Sequence, residues 1–511
     1  MERRRKHWGW GYEDEQPGLA EVREAAAGLA AHLGFGSSEP EAPVALSDVV
    51  LAPPRIEAPW SQDPYERALY AQGASYLDVV RGFRGEFPHP PDAVAHPAGE
   101  DELREVLEWC AAHRAAVIPV GGATSVVGGI DAIPGPGHDG VVAVNLRRLD
   151  RVLEVDRVSR AARIQAGATG PGLEAQLAEH GLTLRFYPQS FELSTLGGWI
   201  ATRAGGHFAT GPTHIDDLVE SVRALTATGE AWESRRLPAS GAGPSPDRLL
   251  LGSEGTLAVI TEAWVRVLEK PEQRRSASVR FADFATGARA VRELLHAGLR
   301  PANCRLIDPG EAALTFAGDG SSALLVLGFE EVVEPAERAL ELCRAHGGEV
   351  QEGGGGSGAW REAFLRAPYL RDTFVAMGVL SETFETAITW DRLDAFVESV
   401  KGAAREALGP EGSVTCRLTH AYADGAAPYF TVLAPARRGE EAEQWGAVKR
   451  AVSEAILAAG GTITHHHAVG RDHRSYYDRQ RPEPFAQVLR AAKSALDPQA
   501  LLNPGVLFDP A

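Results

Sequence analysis

Apolar positions between residues 86 and 271 recur in two rhythms. A helical spacing in "EDELREVLEWCAAH" (100–113) gives way to the apolar run "AAVIPV" (115–120), short enough for a buried strand, which then meets a glycine-rich turn. Further strands are expected in "GVVAVNL" (140–146), "RVLEVD" (151–156) and "RAARIQAG" (160–167), and a helix in "GPGLEAQLAEHG" (170–181). Residues 1–85 read as an N-terminal helical region and linker, because "PGLAEVREAAAGLAAHLG" keeps a helical pattern and a Pro-rich connector follows it. Residues 272–465 alternate strands and helices: "RSASVRF", "ATGARAVRELLHAG", "NCRLID", "SSALLVLGF" and "PAERALELCRAHGG". The stretch "QEGGGGSGAW" (351–360) reads as a surface loop, and residues 466–511 hold a helix, "PFAQVLRAAKSALDP", and a turn, "NPGVLF". The fold class is α+β in four parts: 1–85, 86–271, 272–465 and 466–511.

Composition places this pattern in a soluble globular chain of two or three domains: 511 residues, 44% hydrophobic and 23% charged. No apolar run reaches the roughly 18 residues a bilayer span requires. The opening "MERRRKHWGW" passes from charge straight to tryptophans. The expected location is the cytoplasm, with at most a peripheral membrane contact, although no strongly basic amphipathic helix announces one. A net charge of -18 excludes nucleic acid as a partner, since phosphate backbones call for a basic stripe. It also means that an anionic ligand must be held by backbone N–H groups and a few placed Arg or His side chains. Cys110, Cys304, Cys343 and Cys416 are scattered without paired spacing, which argues for core thiols.

Chemistry gathers in three separated loops of glycine and small hydroxyl residues, a pattern suited to a long ligand touched along its length by backbone. The first comprises Pro119, Val120, Gly121, Gly122, Ala123, Thr124 and Ser125; the second Gln189, Ser190, Phe191, Glu192, Leu193, Ser194 and Thr195, continuing to Thr202, Arg203, Ala204 and Gly205. The third is Gly252, Ser253, Glu254, Gly255, Thr256, Leu257 and Ala258. As written, "PVGGATS", "STLGGWIATRAGG", "GSEGTLAVIT" and the terminal "LDPQALLNPGVLF" resemble the flavin block of vanillyl-alcohol-oxidase-type FAD proteins. That resemblance implies a two-subdomain PCMH-type FAD-binding domain, then an α/β cap (substrate) domain with an antiparallel sheet and a C-terminal helical segment that completes the flavin site. It implies FAD as cofactor. The flavin would be non-covalent, because "GGATS" lacks the histidine covalent relatives carry there; His207 resembles that motif out of place.

Several blocks are similar to one branch of these proteins, the alkyldihydroxyacetonephosphate synthases: "HWGWGYED" (7–14), "YLRDTF" (369–374), "SETFETAITWDR" (381–392), "TCRLTHAYADGAAPYF" (415–430) and "THHHAVG" (464–470). D-hydroxyacid dehydrogenases carry H-x-G-D-G-N-x-H where this chain has "HAYADGAAPYF". His420 remains there but the second histidine does not, so no metal is expected. The resemblance implies Tyr429 as catalytic acid and base, Arg371 as substrate-binding, and Arg305 as required for activity. It further implies a reaction without net redox, in which Tyr429 deprotonates acyl-dihydroxyacetone phosphate and flavin N5 holds the carbon while fatty acid leaves and fatty alcohol attacks. A lipid phosphate and a fatty alcohol are then the small-molecule partners, and a homodimer the expected assembly.

Ionising a free tyrosine at pH 7 costs about 4 kcal/mol, so cations must stand near Tyr429. His465, His466 and His467 read as that source, as a satisfied polar loop, or as a metal site. On an extended segment their side chains alternate, which makes ligation by the run itself poor. "VAMGVLSETF" (375–384) beside Arg371 reads as core or as the wall of an alkyl tunnel. Departures from the branch are "HFATGPTH" (207–214), where two lysines and a Tyr-Gly-Asn are typical, and the ending "LFDPA". An FAD-dependent oxidase or dehydrogenase of an alcohol or 2-hydroxy acid on the same scaffold is the alternative.

Overall fold

The computed structural model describes residues 3–330, 334–351 and 367–507. The glycine-dense stretch expected within 351–360 falls, from 352 onward, outside the described residues, as do 508–511 at the C-terminal ending.

The flavin-type block is built on two sheets. Ala93–Ala95, Gly140–Asn145 and Ala115–Val120 pair in parallel, and their residues are buried on both faces except Pro119, as the continuous Val/Ala/Ile runs require. Val152–Asp156, Ala161–Gln165, Val259–Arg266, Val219–Leu225 and Ala231–Glu233 follow one another in a five-stranded antiparallel sheet. Helix Glu100–Ala112 buries Leu103, Val106, Leu107 and Cys110, the i, i+3, i+4, i+7 stripe that the sequence carries there.

The cap is an antiparallel sheet of eight strands in the order Glu349–Gln351, Arg274–Phe281, Ala323–Glu330, Asn303–Ile307, Ser413–Ala421, Gly425–Pro435 and Val379–Glu385, with Ile388–Thr389 also paired to Gly425–Pro435. Side chains alternate across it. Cys304, Leu306, Cys416, Leu418, Phe430, Val432 and Phe384 join helices Phe284–His296, Leu393–Leu408 and Glu441–Ala458 in the largest core. Each large apolar side chain so buried contributes about 1.5–3 kcal/mol. Arg305, Arg417, Tyr429 and Glu385 are their odd-numbered neighbours and point away from the helices. Most of "VAMGVLSETF" is core rather than tunnel: Val375, Ala376 and Leu380 enter the large cluster, and Met377 and Val379 pack beneath helix Leu19–Leu33.

The C-terminal segment returns to the flavin block. Leu502 bridges Val117 in parallel, the buried Lys493 ammonium donates to the Thr256 and Leu502 carbonyls at 2.7 Å, and Asn503 Nδ2 donates to the carbonyls of Gly129 and Glu254. All four cysteines are buried free thiols. Among the described residues no helix is long and apolar enough to cross a membrane.

Candidate active site

The outward face of the cap sheet meets the three glycine-rich loops around one cleft, with about 1830 Å3 of space between atoms, its solvent mouth included. Three strands set its cap wall by register. Tyr429 on Gly425–Pro435 lies directly opposite Arg417 on one side and Glu385 on the other. Cross-strand neighbours in such a ladder stand about 4.5–5.5 Å apart at Cβ, which fixes these three groups relative to one another. A register shift between Leu418 and His420 adds a residue to the strand, and so His420 joins Arg417 and Thr419 along the cleft instead of alternating away.

Arg417 stacks on the phenol. Its guanidinium carbon sits 3.9 Å from the Tyr429 ring centre, and its Nη1 donates to Glu311 Oε1 at 2.6 Å. Burial alone would lower the Arg417 pKa, but Glu311 and the phenol more than offset it and hold the guanidinium above its usual value. Arg305, also buried, is pushed down to about 9 by burial and by the Arg417 charge; its Nη2 donates to the His207 carbonyl at 2.8 Å.

The histidine run is not extended. The backbone N–H groups of His465, His466 and His467 all donate to the carboxylate of Glu385, at 2.7, 2.9 and 2.9 Å, and Thr464 Oγ1 joins them. Burial alone would raise the Glu385 pKa, yet the facing histidines hold it well below the carboxylate range. Three consecutive N–H groups converging on one carboxylate curl the backbone, and the imidazoles no longer alternate. His466 stacks 6.2 Å from the Tyr429 ring at 21°, and His467 meets it edge-on at 5.8 Å. His465 points elsewhere, to Tyr422 Oη at 2.8 Å and His214 Nε2 at 3.2 Å. Burial and the neighbouring imidazoles lower His465 and His420 well below the ordinary histidine value, and burial lowers His467 to about 3. These three are neutral near pH 7, so Arg417 supplies the fixed charge that the run was expected to bring. His420, His465 and His466 place ligating atoms within 4.8 Å of one another, a spacing that could hold a metal ion. That set depends on His420 from the cap strand, not on the run alone.

The cofactor loops fit a flavin dinucleotide by their close approach. A Cβ on Gly121 would strike Thr195 Oγ1, and one on Gly122 would strike the Leu193 carbonyl, so the first loop meets the second at two positions where it can carry no side chain of its own. Ala123 and Glu254 lie in the left-handed region, at φ 50° each, a conformation costing a non-glycine residue about 1–2 kcal/mol. Glu254 is pinned there by the Val469 and Gly470 N–H groups, and burial raises its pKa to about 7. Arg305, Arg371 and Arg417 line the cleft together with Glu254 and Glu382, and the two carboxyls are already engaged, Glu254 by the Val469 and Gly470 N–H groups and Glu382 by the Trp445 indole N–H.

All seven residues Pro119–Ser125 line the cleft, with Gln189, Ser190, Ser194, Thr195, Thr202, Ala204, Gly205, Glu254, Gly255, Ala258, Tyr429, His466, His467, Arg305 and Arg371. Phe191, Glu192, Leu193, Arg203, Gly252, Ser253, Thr256, Leu257 and His465 are not in its lining. Phe191 packs on Tyr187, Leu193 sits in a small core with Trp10 and Ala74, Glu192 accepts from Tyr369 Oη at 2.7 Å, and Arg203 pairs with Asp216. Thr256 bonds the Ser253 carbonyl, and Leu257 joins the block's core. Sequence reasoning missed Arg417, Glu385, Trp10 and the lining role of His207. Arg417 and Glu385 could have been found from the cap strands' alternation, since each is a charged residue on the face opposite the core.

Residues 91–235 match the FAD binding domain family, and residues 270–507 match the FAD linked oxidases, C-terminal domain family. Alkyldihydroxyacetonephosphate synthase of Caenorhabditis elegans is 31% identical over 506 residues, covering 92% of this chain and 84% of that one. The enzyme of the same name from Dictyostelium discoideum is 28% identical over 478 residues, covering 87% and 78%. A solved structure of an alkyldihydroxyacetonephosphate synthase superposes with a TM-score of 0.78 at 25% identity, over 91% of this chain and 89% of the other.

Proposed function

The chain belongs to the alkyldihydroxyacetonephosphate synthase family, and from that premise we propose that it exchanges the acyl chain of an acyl-dihydroxyacetone phosphate for a fatty alcohol, forming an ether bond without net redox. FAD is its cofactor; when bound it supplies an electron-poor ring beside the substrate and ends the cycle in the oxidation state in which it began. We take the attachment to be non-covalent, in which case acid precipitation releases the yellow colour into the supernatant.

Tyr429 takes the proton from the carbon that bears the acyl oxygen, next to the ketone, and later returns it. The observation that carries this reading is the position of its ring, between the Arg417 guanidinium at 3.9 Å and the His466 imidazole at 6.2 Å, on the wall of the cleft. A guanidinium stacked on that ring puts a fixed positive charge beside the reacting phenol. Arg371 and Arg305 hold the phosphate dianion, because forked guanidinium donors match its oxygens. His466 and His467 pack the phenol and relay protons between it and the leaving and entering oxygens, with Glu385 fixing their backbone. His465 supports them from behind through Tyr422.

Incubating the purified yellow protein with palmitoyl-dihydroxyacetone phosphate and hexadecanol is the direct test, with the ether product sought by mass spectrometry. Ether formation that consumes no electron acceptor and leaves the flavin oxidised at the end of turnover is expected, and Tyr429→Phe should abolish it while leaving the flavin bound. Bleaching that persists until an electron acceptor is added, followed by turnover with that acceptor, would instead favour an oxidase or dehydrogenase. A homodimer and a peripheral membrane contact belong to the same proposal, to be checked by analytical ultracentrifugation and by co-sedimentation with phospholipid vesicles.

A further inference from the structure

The N-terminal motif "RKHWGWGY" (5–12) folds as a short loop closed by a bridge between Arg5 and Tyr12, and it is wedged into the molecule rather than lying on it. Three contacts show where. The Arg5 guanidinium, 5% exposed, donates to the Gly122 carbonyl of the first cofactor loop. Lys6 Nζ pairs with Asp372 Oδ2 at 3.1 Å, the two side chains only 4% and 8% exposed. The Trp10 N–H donates to both oxygens of the same carboxylate, at 3.2 and 3.0 Å, and the Trp10 side chain lines the cleft.

Asp372 immediately follows Arg371, on the helix spanning 367–377. Arg371 in turn donates to the Ala74 carbonyl, and the Ala74 N–H donates to the Ser125 carbonyl of the cofactor loop at 2.6 Å. Arg371 is thus tied to the loop through Ala74, while its neighbour is held by the N-terminal residues. The approach is close enough to select glycine. A Cβ on Gly9 would stand 2.5 Å from Asp372 Oδ2, and one on Gly11, at φ 88°, would stand 2.8 Å from the Tyr369 ring. A buried ion pair earns little net stability, but it fixes direction, and a positioned arginine is what recognition of a phosphate requires.

We propose that residues 5–12 are a positioning strap for the phosphate subsite: Lys6, acting through Asp372, sets the direction of the Arg371 guanidinium relative to the cofactor loop, and Trp10 walls the same end of the cleft. The proposal rests on the reading of Arg371 as a phosphate ligand and adds the residues that aim it. Arg5 ties the strap to the loop, so that loop and helix keep one spacing.

The test uses the full-length flavoprotein. Binding of dihydroxyacetone phosphate is measured by titration calorimetry, and amide hydrogen exchange is followed in peptides covering 367–377. Lys6→Met should weaken binding about 10- to 100-fold, the range an ångström-scale misplacement produces, with the flavin-to-protein ratio unchanged. Lys6→Arg should restore most of the loss. Gly9→Ala, which presses on Asp372 without altering charge, should act in the same direction and serves if Lys6→Met does not fold. Exchange over 367–377 should quicken in Lys6→Met and Gly9→Ala whether or not ligand is present. Wild-type affinity in both variants, or unchanged exchange over that helix, overturns the strap. If the wild-type protein binds no dihydroxyacetone phosphate while the variants still show the faster exchange, the phosphate reading is overturned and the strap is a helix-positioning device only.

Discussion

A phenol that must release its proton near neutral pH needs a charge that stays in place, and Arg417 is held charged by Glu311 at 2.6 Å while lying 3.9 Å from the Tyr429 ring. The imidazoles around it include at least three that burial keeps neutral. Replacing Arg417 with Met removes the cation stacked on the phenol, and kcat/KM should fall about 100- to 1000-fold, the loss that follows removal of one preorganised electrostatic partner. Arg417→Lys keeps the charge but not the planar stack, and should lose less. Arg417→Met also strands the Glu311 carboxylate in the interior, at about 3–5 kcal/mol. The rate is therefore best read in Arg417→Met/Glu311→Gln, which removes both partners. Wild-type kcat/KM in that pair would leave Arg417 a structural ion-pair residue.

At the level of elements, function depends on loops touching where no side chain can be accommodated. Gly122→Ala places a methyl group against the Leu193 carbonyl, which cannot yield without moving the second cofactor loop. The expected outcome is a folded protein purified with little flavin, read as a loss of the flavin's long-wavelength absorbance and an unchanged circular dichroism spectrum. Full flavin content would mean that the loops can part. The strands and helices behind these loops were legible in the chain: the alternation of Cys304/Leu306 against Arg305, and the stripe of Leu103, Val106, Leu107 and Cys110, are local patterns that burial then enforces. The three loops were legible by composition. Their detail was not, because whether Glu192 faces the cleft or the Tyr369 hydroxyl depends on a helix some 177 residues away in sequence. The curl of the histidine run was hidden for the same reason, since it is imposed by the Glu385 carboxylate, 80 residues upstream of His465. "HWGWGYED" was visible as a resemblance, but its work on Asp372 is a contact across 366 residues from Lys6.

Across the whole molecule, two sets of buried groups pull stability in opposite directions with pH. Glu254 and Asp78, each raised to about 7, chiefly by burial, hold protons more tightly in the folded protein, so their contribution is greatest in acid and is lost as pH rises through that value. Buried histidines work the other way. His473 is 5% exposed, its Nδ1 is 3.0 Å from the Ala468 carbonyl, and burial lowers its pKa from 6.5 to about 3. The unfolded chain binds that proton more readily, so below pH 6.5 each such imidazole costs about 1.4 kcal/mol per pH unit until its folded pKa is reached. His467 adds to this, and Glu385, depressed well below its usual value, withdraws its own contribution as pH falls through the carboxylate range. The absolute curve mixes both sets, whereas a difference between two proteins isolates one group. His473→Asn keeps a donor for the Ala468 carbonyl and removes the titration. Its stability relative to wild type should therefore rise by about 2 kcal/mol between pH 6.5 and pH 5, measured by denaturant unfolding at each pH, and change little between pH 7 and pH 8. A difference that is flat across both ranges would mean that His473 takes up its proton inside the folded protein as easily as outside it.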